Sequence, residues 1–235
     1  MGYVGVAPGT TTITLPDGRT VALSDWIDDK LYGSIQLVNG QTNEVMAFSN
    51  GRSQPIPNGT RVQTRVDTNV PRAGEAGLPK DWEMYVYGWG IKLVRAMRPP
   101  SGATQPVLAD GNGALSDPVD QRTYFNLDRV IFFQYRYNNK AYTDGVMQDY
   151  PQGGGLNLVT TNAAREQVTN GIPSPRDRVA LVIPVYEREN LGYSGIFQPE
   201  APLGINQPPS DGDQVQLTFV DLKLYKWGLI RRTVV

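Results

Sequence analysis

The sequence predicts an all-β chain, a sandwich or barrel with long loops. Three observations carry that reading. Several segments alternate apolar and polar residues with a period of two. Glycine (25) and proline (18) punctuate the 235 residues densely, as short strands separated by turns require. No segment shows a long helical period or an internal repeat. Hydrophobic residues make up 40% of the chain and charged ones 19%, a balance that favours a packed core over disorder.

In chain order, residues 1–10 are small and glycine-rich and read as an arm. Thr11 to Leu15 and Arg19 to Leu23 read as strands joined by the turn Pro16-Asp17-Gly18. Ser24 to Lys30 reads as a short helix, capped by Ser24 and carrying acids in its first turn. A strand near Ile35 to Val38 closes at Asn39-Gly40, and residues 51–58 form a connector. From Thr60 to Val66, Val62, Thr64 and Val66 share one side while Arg61, Gln63 and Arg65 share the other. That is the pattern of a half-buried strand.

The stretch Asp81 to Met97 is the most informative. Tyr85, Tyr87, Trp89, Ile91 and Leu93 form one row, and Met84, Val86, Gly88, Gly90 and Val94 the other. Both rows are largely apolar, so both faces must be covered, and an arm or a neighbouring subunit would cover the second. Gly88 and Gly90 mark a bend or a close backbone approach. Residues 99–122 read as loop. Arg129 to Tyr137 is a strand with Ile131, Phe133, Tyr135 and Tyr137 inward, and Asn138-Asn139 turns it back into Lys140 to Thr143. A polar stretch runs from Pro151 to Pro175. Arg178 to Tyr186 alternates again, with Val179, Leu181, Ile183 and Val185 inward and Pro184 placing it at an edge or a bulge. A proline-rich loop spans 199–212. The last strand, from Val215 to Leu224, changes phase near Val220-Asp221, which implies a bulge.

Charge and residue usage narrow the chemistry. With 22 basic against 23 acidic side chains, the chain has no footprint for polyphosphate, and sequence-specific nucleic-acid binding is not expected. The chain has no cysteine and no histidine. Disulfides, thiolate metal sites, serine triads and histidine-built metal centres are therefore excluded. The N-terminus lacks the basic and apolar regions of a signal peptide, and no apolar run is long enough to span a bilayer. The expectation is a soluble protein that is no enzyme, with no cofactor and no metal.

The motifs agree. Glu83, Asp128, Glu187 and Glu189 lie at strand ends and could form a glycosidase pair, but strand-end acids are ordinarily solvated. Asp110-Gly111-Asn112-Gly113 starts like a calcium loop, yet Ala114 and Leu115 stand where the pattern needs an oxygen ligand and glycine. Gly153-Gly154-Gly155 lacks the Lys-Ser/Thr of a phosphate loop. Asn58-Gly59-Thr60 matches a glycosylation sequon too short to decide anything. The aromatic row Tyr85, Tyr87 and Trp89 suits core or subunit packing better than a sugar platform.

The order of blocks also carries a resemblance. Asp67-Thr68-Asn69-Val70-Pro71 leads through Gly77-Leu78-Pro79 into the strand Trp82 to Val94. Tyr150-Pro151-Gln152-Gly153-Gly154-Gly155, then Asn170-Gly171-Ile172-Pro173-Ser174-Pro175-Arg176, then a terminal Gly228-Leu229-Ile230-Arg231-Arg232 follow. This layout, over about residues 60–235, resembles the single jelly-roll capsid proteins of tailless icosahedral bacteriophages, some of which enclose a lipid membrane. The resemblance implies a jelly-roll domain at 59–235; residues 1–58 lie outside it and read as an extension able to clasp a neighbour. The resemblance also implies a virion subunit assembled in the host cytoplasm, with copies of itself and other capsid proteins as partners and, in shells that enclose one, an internal lipid membrane nearby. Tyr85, Tyr87, Trp89 and Trp26 are the candidate interface residues. The alternative is a carbohydrate-binding or adhesin-like jelly roll using the same aromatics or Tyr142 and Tyr150.

Overall fold

A computed structural model of the chain describes residues 11–98, 107–108, 127–150, 157–161, 165–169, 179–205 and 219–232. The strands are β1 (Thr12–Thr14), β2 (Thr20–Ala22), β3 (Trp26–Val38), β4 (Val45–Ala47), β5 (Glu83–Arg98), β6 (Val107–Leu108) and β7 (Ile131–Tyr137). They continue with β8 (Lys140–Val146), β9 (Asn157–Thr161), β10 (Arg165–Thr169), β11 (Val179–Arg188), β12 (Tyr193–Pro199) and β13 (Phe219–Arg231). One sheet has the order β11-β5-β13-β3, with β6 also on β5; the other has the order β4-β12-β7-β8. β1–β2 and β9–β10 are separate hairpins. Every strand pairing is antiparallel.

The all-β class holds, but neither sheet closes into a barrel. The two sheets instead enclose one apolar core. Leu31, Ile35 and Leu37 of β3, Trp89 and Ile91 of β5 and Leu222 and Leu224 of β13 meet Phe133 and Tyr135 of β7 and Phe197 of β12. The Trp89 and Tyr135 rings lie 4.8 Å apart across the gap. β13 is the centre of its sheet. It pairs with β3 without a shift from Phe219↔Val38 to Arg231↔Trp26, and with β5 along its other side.

Several elements depart from the sequence reading. Residues 24–30 are not helical, because only Leu23–Asp25 makes a 3-10 turn before β3 begins at Trp26. Cross-strand pairing with β13 outweighs the local capping signal there. β3 and β4, which precede residue 58, belong to the two sheets; of the described strands before that residue, only the β1–β2 hairpin forms a sheet apart from them. Residues 60–66 form turns rather than a strand: Val62 and Val66 are exposed while Gln63 is buried, the reverse of the expected facing. β11 is indeed an edge strand and is bulged, its register with β5 shifting between Ala180 and Val185. That shift turns Ile183 out to solvent with Val182 and leaves Val185 inside. The expected bulge on β13 lies on its partner instead, since Asp221 faces Arg95 and Leu222 faces Leu93. β4, β6, β9, β10 and β12 were not foreseen, β6 falling in the stretch 99–122 read as loop. The arm at 1–10, the Asp110–Gly113 motif and the Gly153–Gly155 run lie outside the described residues.

The turns were legible. Pro16-Asp17-Gly18 closes the first hairpin with Gly18 at φ 87°, and Asn138 and Asn139 sit at φ 47° and 62° between β7 and β8. Positive φ at both central positions is what a two-residue hairpin turn demands, and asparagine tolerates it.

Candidate functional site

β5 decides where the site lies. Its odd row does not stay on one face. Trp227 pairs with Gly88 and Gly228 with Val86, so Tyr87 is the extra residue of a β-bulge. The bulge reverses the phase: Met84 and Val86 point into the core before it, and Trp89 and Ile91 after it. Tyr85 and Tyr87 are left on the outer face.

That outer face is covered by the chain itself. At one end the β1–β2 hairpin lies over it, packing Leu15, Ile13 and Val21 on Trp26, Tyr85, Tyr87, Tyr186 and Leu229. At the other end the loop of residues 57–69 covers β3 and its free edge. The Ser34 hydroxyl donates to the Asp67 carbonyl and the Tyr32 hydroxyl to the Arg65 carbonyl. The Gln36 amide donates to the Pro57 carbonyl. Arg61 bridges Asp67 and Asp221 at 2.7 and 3.0 Å, which holds its guanidinium against β13 while Arg65 stays exposed. An edge with its backbone groups satisfied is no longer a template for pairing.

The candidate interface residues therefore separate. Trp89 is wholly enclosed between the sheets and offers nothing to a neighbour; its indole N–H has no hydrogen-bond partner among the described residues. Tyr85 and Trp26 are buried beneath the hairpin, and Tyr87 is half-buried there. At Tyr85 and Tyr87 the apolar second face of β5 is thus covered within one molecule, and there it no longer argues for a neighbouring subunit.

Beside the hairpin opens a cleft of about 500 Å³, lined by Asp17, Arg19, Asp81, Trp82, Glu83, Tyr186, Arg188, Glu189 and Arg231. β1–β2 supplies the first two residues, the start of β5 the next three, and β11 and β13 the rest. Arg19 Nη2 donates to Tyr85 Oη and Tyr186 Oη at 3.2 Å each and to Glu83 at 3.3 Å. Tyr85 donates to Asp17 at 2.7 Å and Tyr186 to Glu83 at 2.8 Å. Arg231 holds the other Glu83 oxygen at 2.9 Å. The Tyr85 hydrogen bond, with the Arg19 amide and guanidinium, draws the Asp17 carboxyl down to about 2. Burial pushes the Tyr85 phenol up to about 12. Tyr186 stacks on Tyr85 at 4.5 Å and carries the Arg19 and Arg188 guanidiniums near its ring. Trp82, Tyr186 and forked charged groups form a wall suited to a polar, ring-shaped ligand.

Of the four strand-end acids, Glu83 and Glu189 share this cleft. Both are engaged, Glu83 by two arginines and Glu189 by the Asp81 amide. Asp128 stands elsewhere, its carboxyl raised to about 6 by burial against the opposing pull of Arg129. Glu187 is not a solvated acid at all, being wholly buried and ion-paired with Lys226 at 2.6 Å between two 0%-exposed side chains. Sequence reasoning missed Lys226. The signal was there: it continues the inward row Leu222, Leu224 on β13, as Glu187 continues Val185 on β11. Among the described residues no three acids gather as a metal site.

Comparison with known protein families, with curated proteins and with solved structures finds no match for the chain.

Proposed function

We propose that the chain is a single jelly roll and a structural, shell-building subunit of the tailless icosahedral bacteriophage kind. Strand order carries the reading. Setting aside the hairpins and β6, eight strands remain: β3, β4, β5, β7, β8, β11, β12 and β13. The first pairs with the eighth, the second with the seventh, the third with the sixth and the fourth with the fifth. The eighth then joins the third and the seventh joins the fourth. An antiparallel hairpin of eight strands wrapped once around itself gives this order, which is the double Greek key of jelly rolls. The resemblance in block order supports the same assignment, with copies of the chain and other capsid proteins as partners. Val182 and Ile183, 91% and 80% exposed on edge strand β11, are the described residues best suited to a neighbour's contact. Light scattering after size exclusion should show rings or larger assemblies at high concentration. The double change Val182→Asp with Ile183→Asp should return monomers of unchanged circular dichroism. A wild-type chain that stays monomeric at every concentration would remove this reading.

The cleft favours a second reading, a carbohydrate-binding jelly roll with Trp82 and Tyr186 as its stacking wall. A glycan array lit by the monomeric wild type and dark for Trp82→Ala would place it ahead of the first.

A further inference from the structure

Lys226 sits in an arrangement that a simple ion pair does not require. Its Nζ lies 2.6 Å from Glu187 Oε2, 3.2 Å from Tyr135 Oη and 3.2 Å from the centre of the Tyr193 ring, with the Phe48 ring at 5.5 Å. Tyr135 donates its hydroxyl to the other carboxylate oxygen, Glu187 Oε1. Lys226, Glu187 and Tyr135 are each 0% exposed. Removing two ions from water to this depth is rarely repaid by their mutual attraction. Burial also draws the Lys226 ammonium down to about 8 against the pull of Glu187, and it raises the Tyr135 phenol well above its ordinary value, which keeps it a donor. The amine is thereby disposed to give up a proton, beside a carboxyl group that water does not reach.

We propose that Lys226 and Glu187 condense to an intramolecular amide, with Tyr135 as the catalytic hydrogen-bond donor. The ammonium first passes one proton to Glu187 Oε2, leaving a neutral amine beside a neutral acid. Nζ then attacks Cδ and the C–N bond forms. The charge that develops on Oε1 is held by the Tyr135 hydroxyl, which already points at it. Oε2 leaves as water, taking the second nitrogen proton as the C–O bond breaks. One ammonium and one carboxylate become one amide and one water, with no oxidant or co-reactant. Contact between the reacting groups replaces the encounter that makes this condensation negligible in solution, and the enclosing rings keep water from reversing it. The product ties β11 to β13 across β5, joining residues 39 apart. It stands whether or not the chain builds shells.

Mass spectrometry of the intact, denatured full-length chain tests the proposal. The wild type should be lighter than its sequence by one water. Trypsin should release a branched peptide in which Val179–Arg188 is joined through Glu187 to Leu224–Arg231, uncut at Lys226. Lys226→Met should have its full sequence mass. Tyr135→Phe, freshly made, should contain a larger unlinked fraction than wild type that declines on standing. A wild-type mass equal to the sequence in both fresh and aged protein overturns the proposal, as do separate Leu224–Lys226 and unmodified Val179–Arg188 peptides in a full digest. The wild-type result decides even if a variant fails to fold.

Discussion

Asp67 shows how single residues set the acid limit of this molecule. Burial alone would raise its carboxyl, but the Arg61 fork and the Thr64 amide and hydroxyl outweigh burial and hold it at about 2, against an ordinary 3.8. Because the folded value lies below the unfolded one, the stabilisation is complete above pH 3.8 and disappears as pH falls toward 2. It amounts to about 2 kcal/mol. Thermal melts of the wild type should therefore fall steeply across that window. Asp67→Asn should start lower and fall less; identical slopes would assign the acid sensitivity elsewhere. Lys226 gives a second test at this scale. Lys226→Met leaves Glu187 buried without its cation, at a cost of about 3 kcal/mol, so this single variant should melt in urea below the double variant that adds Glu187→Leu. Neither residue announces itself by a motif. Each is visible only as a charge at the end of an apolar alternating row, a pattern that acquires meaning once the two rows face one core.

At the scale of elements, the sequence was legible where local chemistry and long-range pairing agree. β1, β2, β7 and the turns at Gly18 and Asn138-Asn139 are of this kind. It misled where they conflict: Ser24 to Lys30 carries helix signals, but from Trp26 onward it is claimed by β13, and Val62 and Val66 alternate but yield to the Arg61 contacts beside them. The bulge at Tyr87 escaped because a bulge leaves no trace in a row that is apolar on both faces. Its partner does leave one, since a Cβ on Gly228 would overlap the Tyr85 carbonyl; Gly228→Ala should destabilise the sheet and expose Tyr85. The hairpin makes a milder prediction. Its latch rests on Arg19, whose side chain is 45% exposed, so Arg19→Ala should cost no more than about 1 kcal/mol. Hydrogen exchange should nonetheless accelerate across residues 12–22 while β13 amides keep their protection. Equal acceleration in both would mean that hairpin and sandwich open together.

For the whole molecule the decisive fact is that its central strand is made last among the described strands. β13 lies between β3 and β5, and it meets partners that precede it by most of the chain length. Without it β3 has no strand partner among the described residues, and Leu222, Leu224 and Ile230 leave the core. Until it arrives, β3 and β5 leave to the gap the edges that β13 pairs with. Contacts so distant in sequence must overcome loop-closure entropy before any burial rewards it, so refolding should be slow for the length, on the order of milliseconds to seconds. A chain ending at residue 218 should lose near-ultraviolet dichroism and aggregate, even though β7, β8 and β12 remain. A separate peptide of residues 219–235 should restore the signal in proportion to its occupancy, by adding the missing strand between two waiting edges. If the truncated chain instead keeps the wild-type spectrum and melting point, β13 is an accessory strand, and the eight-strand wrapping on which the jelly-roll reading rests loses its first and most central pair.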